Sequence, residues 1–512
     1  MPPERRRSRA RAATRRCGRA GAARLLALAV SLAATGAAAA EGDAGAVTVP
    51  SAHARIGFER IRFPGDERVG LVGTSYLVDV PALDGLSLGP AVYGAITGNR
   101  GGFFTLGGEV AWRRRLLGPF GIELGLYAGG GGGAGAPQGG GLMLRPHVDL
   151  LADYGATAFG ISLSRVMFPN GEIGSTQLGL VFNISDQFRS ARADRLDAPL
   201  RAGGRSGIGF DRIQIVAGAY RTRAGTLLRD GQPQPRTIHV LGARGEQAIG
   251  QNGYWGLEAN GATDSAVSGY AEFLGIVGAE TELVHDLVTA GARVGDGMAG
   301  GGGVPTGGGL LLKGSLYSIV RLSNDLGLSL EAGVTSAPRG DFRAAHVAAG
   351  LVWALDGPAA SGAPARPVRT DFAAGLERFD APRKNGETRP VSLAVLRIDR
   401  FLGANFYVSG QAHTAFAGNA GGFTSASLGA GWWQPISPRW HVGGELLGGA
   451  AGGGGVDSRG AIARAMVYAG TQLTPGLSLR LGAGRIQALH GPLHANSVTM
   501  LLSYTYGVSA GD

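Results

Sequence analysis

The chain has 512 residues, of which 92 are glycine and one is cysteine, and its formal net charge is +10. Nine arginines lie within the first 24 residues, so the chain after residue 40 holds 39 basic and 37 acidic residues. This near-neutral balance removes the main support for a nucleic-acid-binding protein. Because Cys17 also lies in the basic leader, the remaining chain offers no disulfide and no cysteine-ligated metal site.

The first 40 residues have the pattern of a secretory signal peptide. The arginines precede a short apolar run at residues 25–34, and a small-residue stretch ends at Ala38-Ala39-Ala40. An apolar run of that length is too short to cross a bilayer as a helix. We therefore predict a signal peptide at residues 1–40 and passage of the rest through the inner membrane. A twin-arginine signal at Arg15-Arg16 is the alternative.

Three landmarks recur in the same order along the rest of the chain. The first is an acid–arginine pair that follows glycine and an apolar residue: Glu59-Arg60, Asp211-Arg212 and Glu377-Arg378. The second is a glycine tract: residues 129–133, 300–303 and 452–455. The third is a Gly-Ile/Leu-Ser-Leu segment: residues 160–163, 327–330 and 476–479. This recurrence predicts three β repeat units, which we place at residues 41–199, 200–366 and 367–512.

Alternation of apolar residues with small or polar residues predicts β-strands throughout these units. Near the carboxyl end, Val498, Met500 and Leu502 share one face, whereas Thr499 and Ser503 lie on the other. Clusters of turn-forming residues divide the first unit into eight strands. These strands begin near residues 55, 68, 86, 102, 121, 142, 157 and 172. The other units divide in the same way, which gives about 24 strands of the kind that transmembrane barrels use.

The tryptophans give an independent indication of a membrane barrel. If the first strand starts on the periplasmic side, all six tryptophans fall at one end of their strands, with two tyrosines nearby. Amphipathic aromatic side chains favour the headgroup level of a bilayer. A soluble β protein with tryptophans closing one end is the alternative. We predict an interfacial aromatic girdle formed by Trp112, Trp255, Trp353, Trp432, Trp433, Trp440, Tyr504 and Tyr506.

In this strand pattern, which covers residues 50–508, the chain resembles Gram-negative outer-membrane β-barrel proteins of the porin-like kind. The resemblance rests on the strands and not on a specific motif. The final strand ends at Tyr506, six residues before the carboxyl terminus, whereas such barrels usually finish on an aromatic residue. The resemblance implies an all-β, antiparallel up-and-down barrel in the outer membrane. Its partners would be outer-membrane lipid and the barrel-assembly machinery.

The strands can close in two ways. We favour one barrel of about 24 strands built from three homologous eight-strand units. The alternative is three tandem eight-stranded barrels, each narrow enough to be filled by its own side chains. Longer connections at residues 186–207 and 356–370 favour separate barrels. Most other connections are too short to plug a wide lumen, so a single barrel requires a bulky substrate, a collapsed shape, or a periplasmic or plug partner.

Few residues suggest a catalytic or ligand-binding role. We predict that the acid–arginine pairs supply lumen charges, and the alternative is that they fix strand register through cross-strand pairing. The glycine tracts lack the lysine and helix of a phosphate loop, so we ascribe them to close backbone approach. Catalysis by His494 and Ser497 is disfavoured because residues three apart lie on opposite faces of a strand. The spacing of the histidines predicts no metal site, and we expect no cofactor and no nucleic-acid partner.

These features predict a non-enzymatic outer-membrane β-barrel that serves as a pore or export conduit for a polar solute. The solute would diffuse along a lumen lined by the polar alternate residues, with acidic and basic side chains setting charge preference. A non-conducting structural or interaction barrel at the cell surface is the alternative. An outer-membrane lipid hydrolase is the remote alternative.

Overall fold

The computed structural model describes residues 47–196, 206–355 and 367–509. The predicted signal peptide and parts of the two long connections lie outside these ranges. Within them the chain forms 26 antiparallel strands and three short 3-10 turns at Pro64–Asp66, Ala193–Arg195 and Ser265–Val267. None of these described helical turns is long and apolar enough to cross a membrane.

Barrel 1 is a closed eight-stranded barrel in which the last strand pairs with the first. A two-residue strand, β1 (Val47–Thr48), precedes it, and β10 (Ser190–Arg192) follows it. The barrel strands are β2 Ser51–Arg62, β3 Arg68–Asp79, β4 Leu86–Thr97, β5 Phe104–Leu117, β6 Phe120–Gly132, β7 Met143–Tyr154, β8 Thr157–Met167 and β9 Gly174–Gln187.

Barrels 2 and 3 have the same eight-stranded, antiparallel topology. Barrel 2 consists of β11 Arg212–Thr222, β12 Thr237–Ile249, β13 Gly253–Ala262, β14 Ala271–Val284, β15 Val288–Gly300, β16 Leu310–Arg321, β17 Leu326–Ser336 and β18 Arg343–Ala354. Barrel 3 consists of β19 Pro367–Pro382, β20 Thr388–Phe401, β21 Phe406–Ala417, β22 Thr424–Pro435, β23 Trp440–Gly452, β24 Gly460–Thr474, β25 Leu477–Ala488 and β26 His494–Ser509. Closure comes from pairing of β11 with β18 and of β19 with β26.

The favoured prediction of one 24-stranded barrel is wrong, and the alternative of three eight-stranded barrels describes the structure. Twenty-four long strands are present, but β9 returns to β2 and β18 returns to β11 instead of pairing with the next unit. The physical reason is the width of the interior, because eight strands enclose a space that side chains can fill without leaving a wide channel. A barrel of this size needs no separate plug, so its hairpin connections can be short.

The outer surface of the barrels is apolar. In β26 the outward Val498 and Met500 are exposed, whereas the inward Ser497 and Thr499 are buried. The strands of the barrels have 10–16 residues, which reaches the length needed to cross a bilayer with a tilt. Large apolar side chains that are half or more exposed occur on the outer faces of all three barrels: Leu150, Ile161, Leu178, Leu180, Val294, Leu316, Leu330, Val347, Leu446, Val467, Leu481 and Val498. This belt is the surface that a membrane barrel presents to lipid.

The two ends of the barrels differ, and we name them by their residues. The tryptophan rim is the end where β2, β11 and β19 begin and where all six tryptophans lie. The glycine rim is the opposite end, where β6, β15 and β23 finish at Gly132, Gly300 and Gly452. Turns at the tryptophan rim are short, such as residues 118–119 and 155–156, whereas those at the glycine rim include residues 133–142 and 223–236.

The barrels pack on one another through the glycine rim. Gly102, Gly269 and Gly422 have φ values of 89°, 93° and 90°. Each of them contacts the glycine tract of the next barrel: Gly102 contacts Gly300–Gly301, Gly269 contacts Gly452–Gly453, and Gly422 contacts Gly132–Gly133. We call this set of three contacts the glycine hub. The same contact repeated three times arranges the barrels in a closed ring.

Backbone hydrogen bonds hold the glycine hub together. The Gly101 N–H donates to Gly307 O over 2.9 Å, and the Gly421 N–H donates to Gly139 O over 3.1 Å. At the third junction Ser268 Oγ donates to Ala451 O over 3.1 Å. The two bonds between glycines require the backbones to approach each other without intervening Cβ atoms.

A strap at the tryptophan rim also connects barrels 1 and 3. Strand β10 pairs with the end of β26, and β1 pairs with β10. The ring of Phe188 packs edge-on against that of Tyr506, with centroids 5.3 Å apart. This contact explains why Tyr506 is buried although it belongs to the last strand.

Candidate functional site

The middle of each barrel interior is filled by buried ion pairs. In barrel 1, Arg145 Nε and Nη2 donate to the two carboxylate oxygens of Glu59 over 2.9 and 3.0 Å. Arg55 Nε and Nη2 both donate to Asp149 Oδ2, over 3.0 and 2.7 Å. All four side chains are at most 4% exposed. Pairs of this kind are stable only when both partners remain, because a lone buried charge is costly.

Barrels 2 and 3 contain their own networks. In barrel 2, Arg244 donates to Glu258 and Glu331 over 2.7 and 2.9 Å, and Lys313 Nζ donates to Glu258 over 2.6 Å. In barrel 3, Arg397 Nη2 lies 2.8 Å from oxygens of both Asp399 and Glu445. The charged side chains of the described strands therefore occupy space that an open channel would leave to water.

An apolar layer seals each barrel at the glycine rim. In barrel 1 the rings of Phe63 and Phe168 pack on Phe103 with centroids 5.6 and 5.8 Å away. Barrel 2 has Tyr220 and Tyr270 around Phe342, and barrel 3 has Phe379 against Phe423. Aliphatic side chains complete each layer.

The loops after the glycine tracts contribute to these seals. Ala136, Val304 and Val456 each lie four residues after the end of the fifth strand of their barrel. Their exposed fractions are 9%, 0% and 1%, and each N–H donates to the carbonyl of the glycine three residues earlier. The glycine tract thus folds as a tight turn that places one apolar side chain into the mouth of the barrel.

Barrel 1 is open to solvent at the tryptophan rim. A vestibule of about 750 Å³ is lined by His53 at its inner end and by several charged side chains around its mouth. The acidic ones are Asp79, Asp84, Asp153 and Asp186, and the basic ones are Arg113 and Arg115. The lining of this vestibule includes His53, whose Nε2 lies 3.6 Å from Glu123 Oε2.

The structure separates the predicted lumen charges. Glu59 and Glu377 point into barrels 1 and 3, whereas Arg60 and Arg378 are exposed on the outside. Arg212 points into barrel 2, where it pairs with Glu246 and Glu280. Asp211 precedes β11 at the tryptophan rim and accepts a hydrogen bond from the Ala248 N–H. These six residues therefore share no lumen, because they belong to three separate barrels.

The predicted aromatic girdle lies at one end, as the strand directions require. Trp112, Trp432, Trp440 and Tyr504 are exposed on the outside, and Trp255 and Trp353 are partly exposed. Two members differ from the prediction. Trp433 points into barrel 3, where Arg369 lies 4.2 Å from its ring centroid, and Tyr506 is covered by Phe188.

The remaining sequence candidates do not form a catalytic group. His494 is exposed and Ser497 is buried, on opposite faces of β26. This arrangement follows from the two-residue period of a strand.

The sequence analysis missed a buried cluster in barrel 1. Glu123, His147 and Asp149 come from β6 and β7, and one ligand atom of each lies within 4.8 Å of the others. His147 and Asp149 share a face because they are two residues apart, which the sequence shows. The register that places Glu123 opposite Asp149 is visible only in the folded hairpin.

Comparison with known proteins assigns no specific function to the chain. No protein-family model and no curated protein matches the chain. Similar solved structures include the outer membrane protein OpdK from Pseudomonas aeruginosa, with 10% identity, 89% of this chain and 98% of that chain covered, and a TM-score of 0.21. The siderophore receptor PirA from Acinetobacter baumannii has 9% identity, coverage of 89% and 80%, and a TM-score of 0.27.

A de novo designed transmembrane β-barrel matches a smaller part of the chain. It has 10% identity, covers 27% of this chain and 96% of its own, and has a TM-score of 0.21. The predicted all-β barrel fold is confirmed by the strand pairings of this chain itself. The TM-scores are too low for the overall likeness to decide the arrangement of the barrels, which rests on the strand pairings of this chain.

Proposed function

We propose that this chain is an outer-membrane protein whose three sealed barrels form a membrane-embedded structural or binding unit that does not conduct. The observation that carries the proposal is the apolar layer that crosses each barrel at the glycine rim. Below that layer, the interior holds paired charges in place of an aqueous path. A sealed eight-stranded barrel is held together by its own side chains and needs no plug partner.

The outer surface supports placement in the outer membrane. Closed barrels with an apolar outer belt are the β structures that satisfy every backbone group within lipid. We propose that the tryptophan rim faces the periplasm, because outer-membrane barrels have short periplasmic turns and longer external loops. On this proposal the glycine hub faces the cell exterior, and the barrel-assembly machinery inserts the chain after export directed by residues 1–40.

A conduit for a polar solute is the second candidate function. The open vestibule of barrel 1 and the charged interior beyond it favour this candidate. Conduction would require the side chains around Phe103 to move, because they close the far end of the same barrel. The two candidates therefore differ in whether these side chains open and let the protein pass current.

We expect the refolded protein to give no steady current in planar lipid bilayers. The reason is that ions cannot cross a packed apolar layer without losing their hydration. The same protein preparation should be inserted into lipid vesicles, where protease protection verifies insertion. Folding is verified by the temperature at which the folded band shifts to the unfolded position on a gel. A trimeric general porin serves as the positive control. Large, ohmic steps from the verified protein would contradict the sealed-barrel proposal and favour the conduit.

A further inference from the structure

Barrel 1 departs from the other two barrels at one cross-strand pair. Nine residues before the end of the fifth strand, barrels 2 and 3 have Gly291 and Gly443. These glycines pair with Tyr317 and Tyr468, whose rings cover them. At the same position barrel 1 pairs Glu123 with Asp149. A glycine–tyrosine pair that fills space is replaced by two opposed carboxylates.

On its own, this replacement is expected to lower the stability of the barrel. Like charges directly opposite each other on a sheet destabilise it, and the cost grows when they are buried. Glu123 and Asp149 are both fully buried. Among the residues that the structure describes, neither carboxylate oxygen of Glu123 has a hydrogen-bond partner, and its nearest cationic atoms are Arg55 Nε at 3.7 Å and His53 Nε2 at 3.6 Å. The His53 Nε2 atom is likewise buried without a hydrogen bond.

The surrounding residues have the chemistry of a metal site. His147 Nδ1 lies 3.1 Å from Asp149 Oδ1, and its Nε2 lies 3.0 Å from Glu109 Oε1. A histidine that binds a metal through one ring nitrogen commonly donates from the other to a carboxylate, which fixes the ring. Glu109 is positioned to accept such a hydrogen bond from His147 Nε2. Gly125, opposite His147, leaves room for the imidazole, since a Cβ there would lie 2.1 Å from Nε2.

Charge and access favour a cation at this place. The buried carboxylates of barrel 1 are Glu59, Glu109, Glu123 and Asp149, whereas its buried guanidinium groups are those of Arg55 and Arg145. In the described strands, barrels 2 and 3 each have four buried carboxylates and three buried arginine or lysine side chains. The acidic vestibule ends at His53, next to Glu123, and its negative mouth would concentrate cations.

We propose that barrel 1 binds one divalent transition-metal ion, with Glu123, His147 and Asp149 as ligands and His53 beside them. Imidazole and carboxylate together suit Zn²⁺ and its neighbours, whereas Ca²⁺ and Mg²⁺ prefer oxygen ligands alone. The ion would neutralise the opposed carboxylates and supply partners to Glu123. This site goes beyond the proposed function, and its test does not depend on whether the protein conducts.

The test is calorimetric titration of Zn²⁺ into the metal-stripped whole chain in detergent micelles. We expect one ion per chain and a higher unfolding temperature with Zn²⁺. Glu123→Gln should weaken binding by at least about tenfold, since it replaces a ligand and not merely a supporting residue. Because Glu123 makes no hydrogen bond, this variant should unfold at or above the temperature of the metal-free parent.

Two further variants locate the site. Glu123→Gly introduces the glycine that barrels 2 and 3 have at this position, keeps the Arg55–Asp149 pair, and should abolish binding. His285→Ala disrupts the exposed Glu282, His285 and Asp286 group on the β14–β15 turn and should leave binding unchanged. A parent protein that binds no Zn²⁺, or one whose binding survives Glu123→Gln and disappears in His285→Ala, would overturn the proposal.

Discussion

Replacing Gly102 with alanine is expected to destabilise the protein by about 3 kcal/mol or more, through strained backbone and overpacking together. Gly102 has a φ of 89°. A Cβ at this position would lie 2.1 Å from the Gly301 backbone nitrogen of the next barrel. Because that neighbour is backbone, no side chain can rotate away, and the two barrels must separate. The midpoint of urea unfolding, followed by tryptophan fluorescence in micelles, measures the loss.

Gly386 is the matched control for this substitution. It lies at the same rim with a φ of 84°, and no atom lies within 4 Å of a Cβ added there. Gly386→Ala should therefore show only the backbone strain, about 1–2 kcal/mol. Equal shifts for the two variants would mean that the glycine hub is not a tight contact.

Replacing Glu59 with glutamine is expected to destabilise barrel 1 by about 3–5 kcal/mol, since it leaves a buried guanidinium without its counter-charge. Arg145 is 2% exposed and makes its two shortest bonds to Glu59. The substitution keeps the size and shape of the side chain, so the effect reports charge and not packing. Urea unfolding in micelles measures it under the same conditions.

The neighbouring Arg60 provides the control. It is exposed on the outer face of the same strand, so Arg60→Gln should change the free energy of unfolding by no more than about 0.5 kcal/mol. A comparable loss for Arg60→Gln would contradict the division of the acid–arginine pair between the inside and the outside of the barrel.

The strands themselves could be predicted because most of them alternate apolar with small or polar residues at a two-residue period. In the first unit the predicted starts at residues 68, 86 and 157 coincide with those of β3, β4 and β8, and the other five lie within four residues. Apolar residues on one face and turn-forming clusters at the ends are local properties. These local properties predict the number of strands and the face of the sheet on which each side chain lies.

Strand closure could not be predicted in the same way. Whether β9 pairs with β2 or with β11 depends on the curvature of the whole sheet, which no local pattern records. The long connections at the unit boundaries pointed to separate barrels. The acid–arginine pairs do not occupy equivalent places in the strands: Asp211 lies before β11, whereas Glu59 lies near the end of β2.

The cluster around Glu123 was missed for a related reason. Metal ligands on a strand hairpin are gathered by register, and Glu123 lies 26 residues from Asp149 in the sequence while being its direct partner in the sheet. Spacing rules drawn from helices and zinc fingers do not detect such a group.

Cysteine cross-linking tests the three-barrel architecture most directly. Ile215 and Leu351 are partners across the closing strands β11 and β18, and both point outward. In a Cys17→Ser background, Ile215→Cys with Leu351→Cys should form a disulfide within one chain, because paired strands place Cα atoms within bonding range. The hairpin pair Leu330→Cys with Ala349→Cys is the positive control, since β17 and β18 are neighbours in either architecture. A folded protein in which only the hairpin pair cross-links would contradict closure of barrel 2 and favour the single wide barrel.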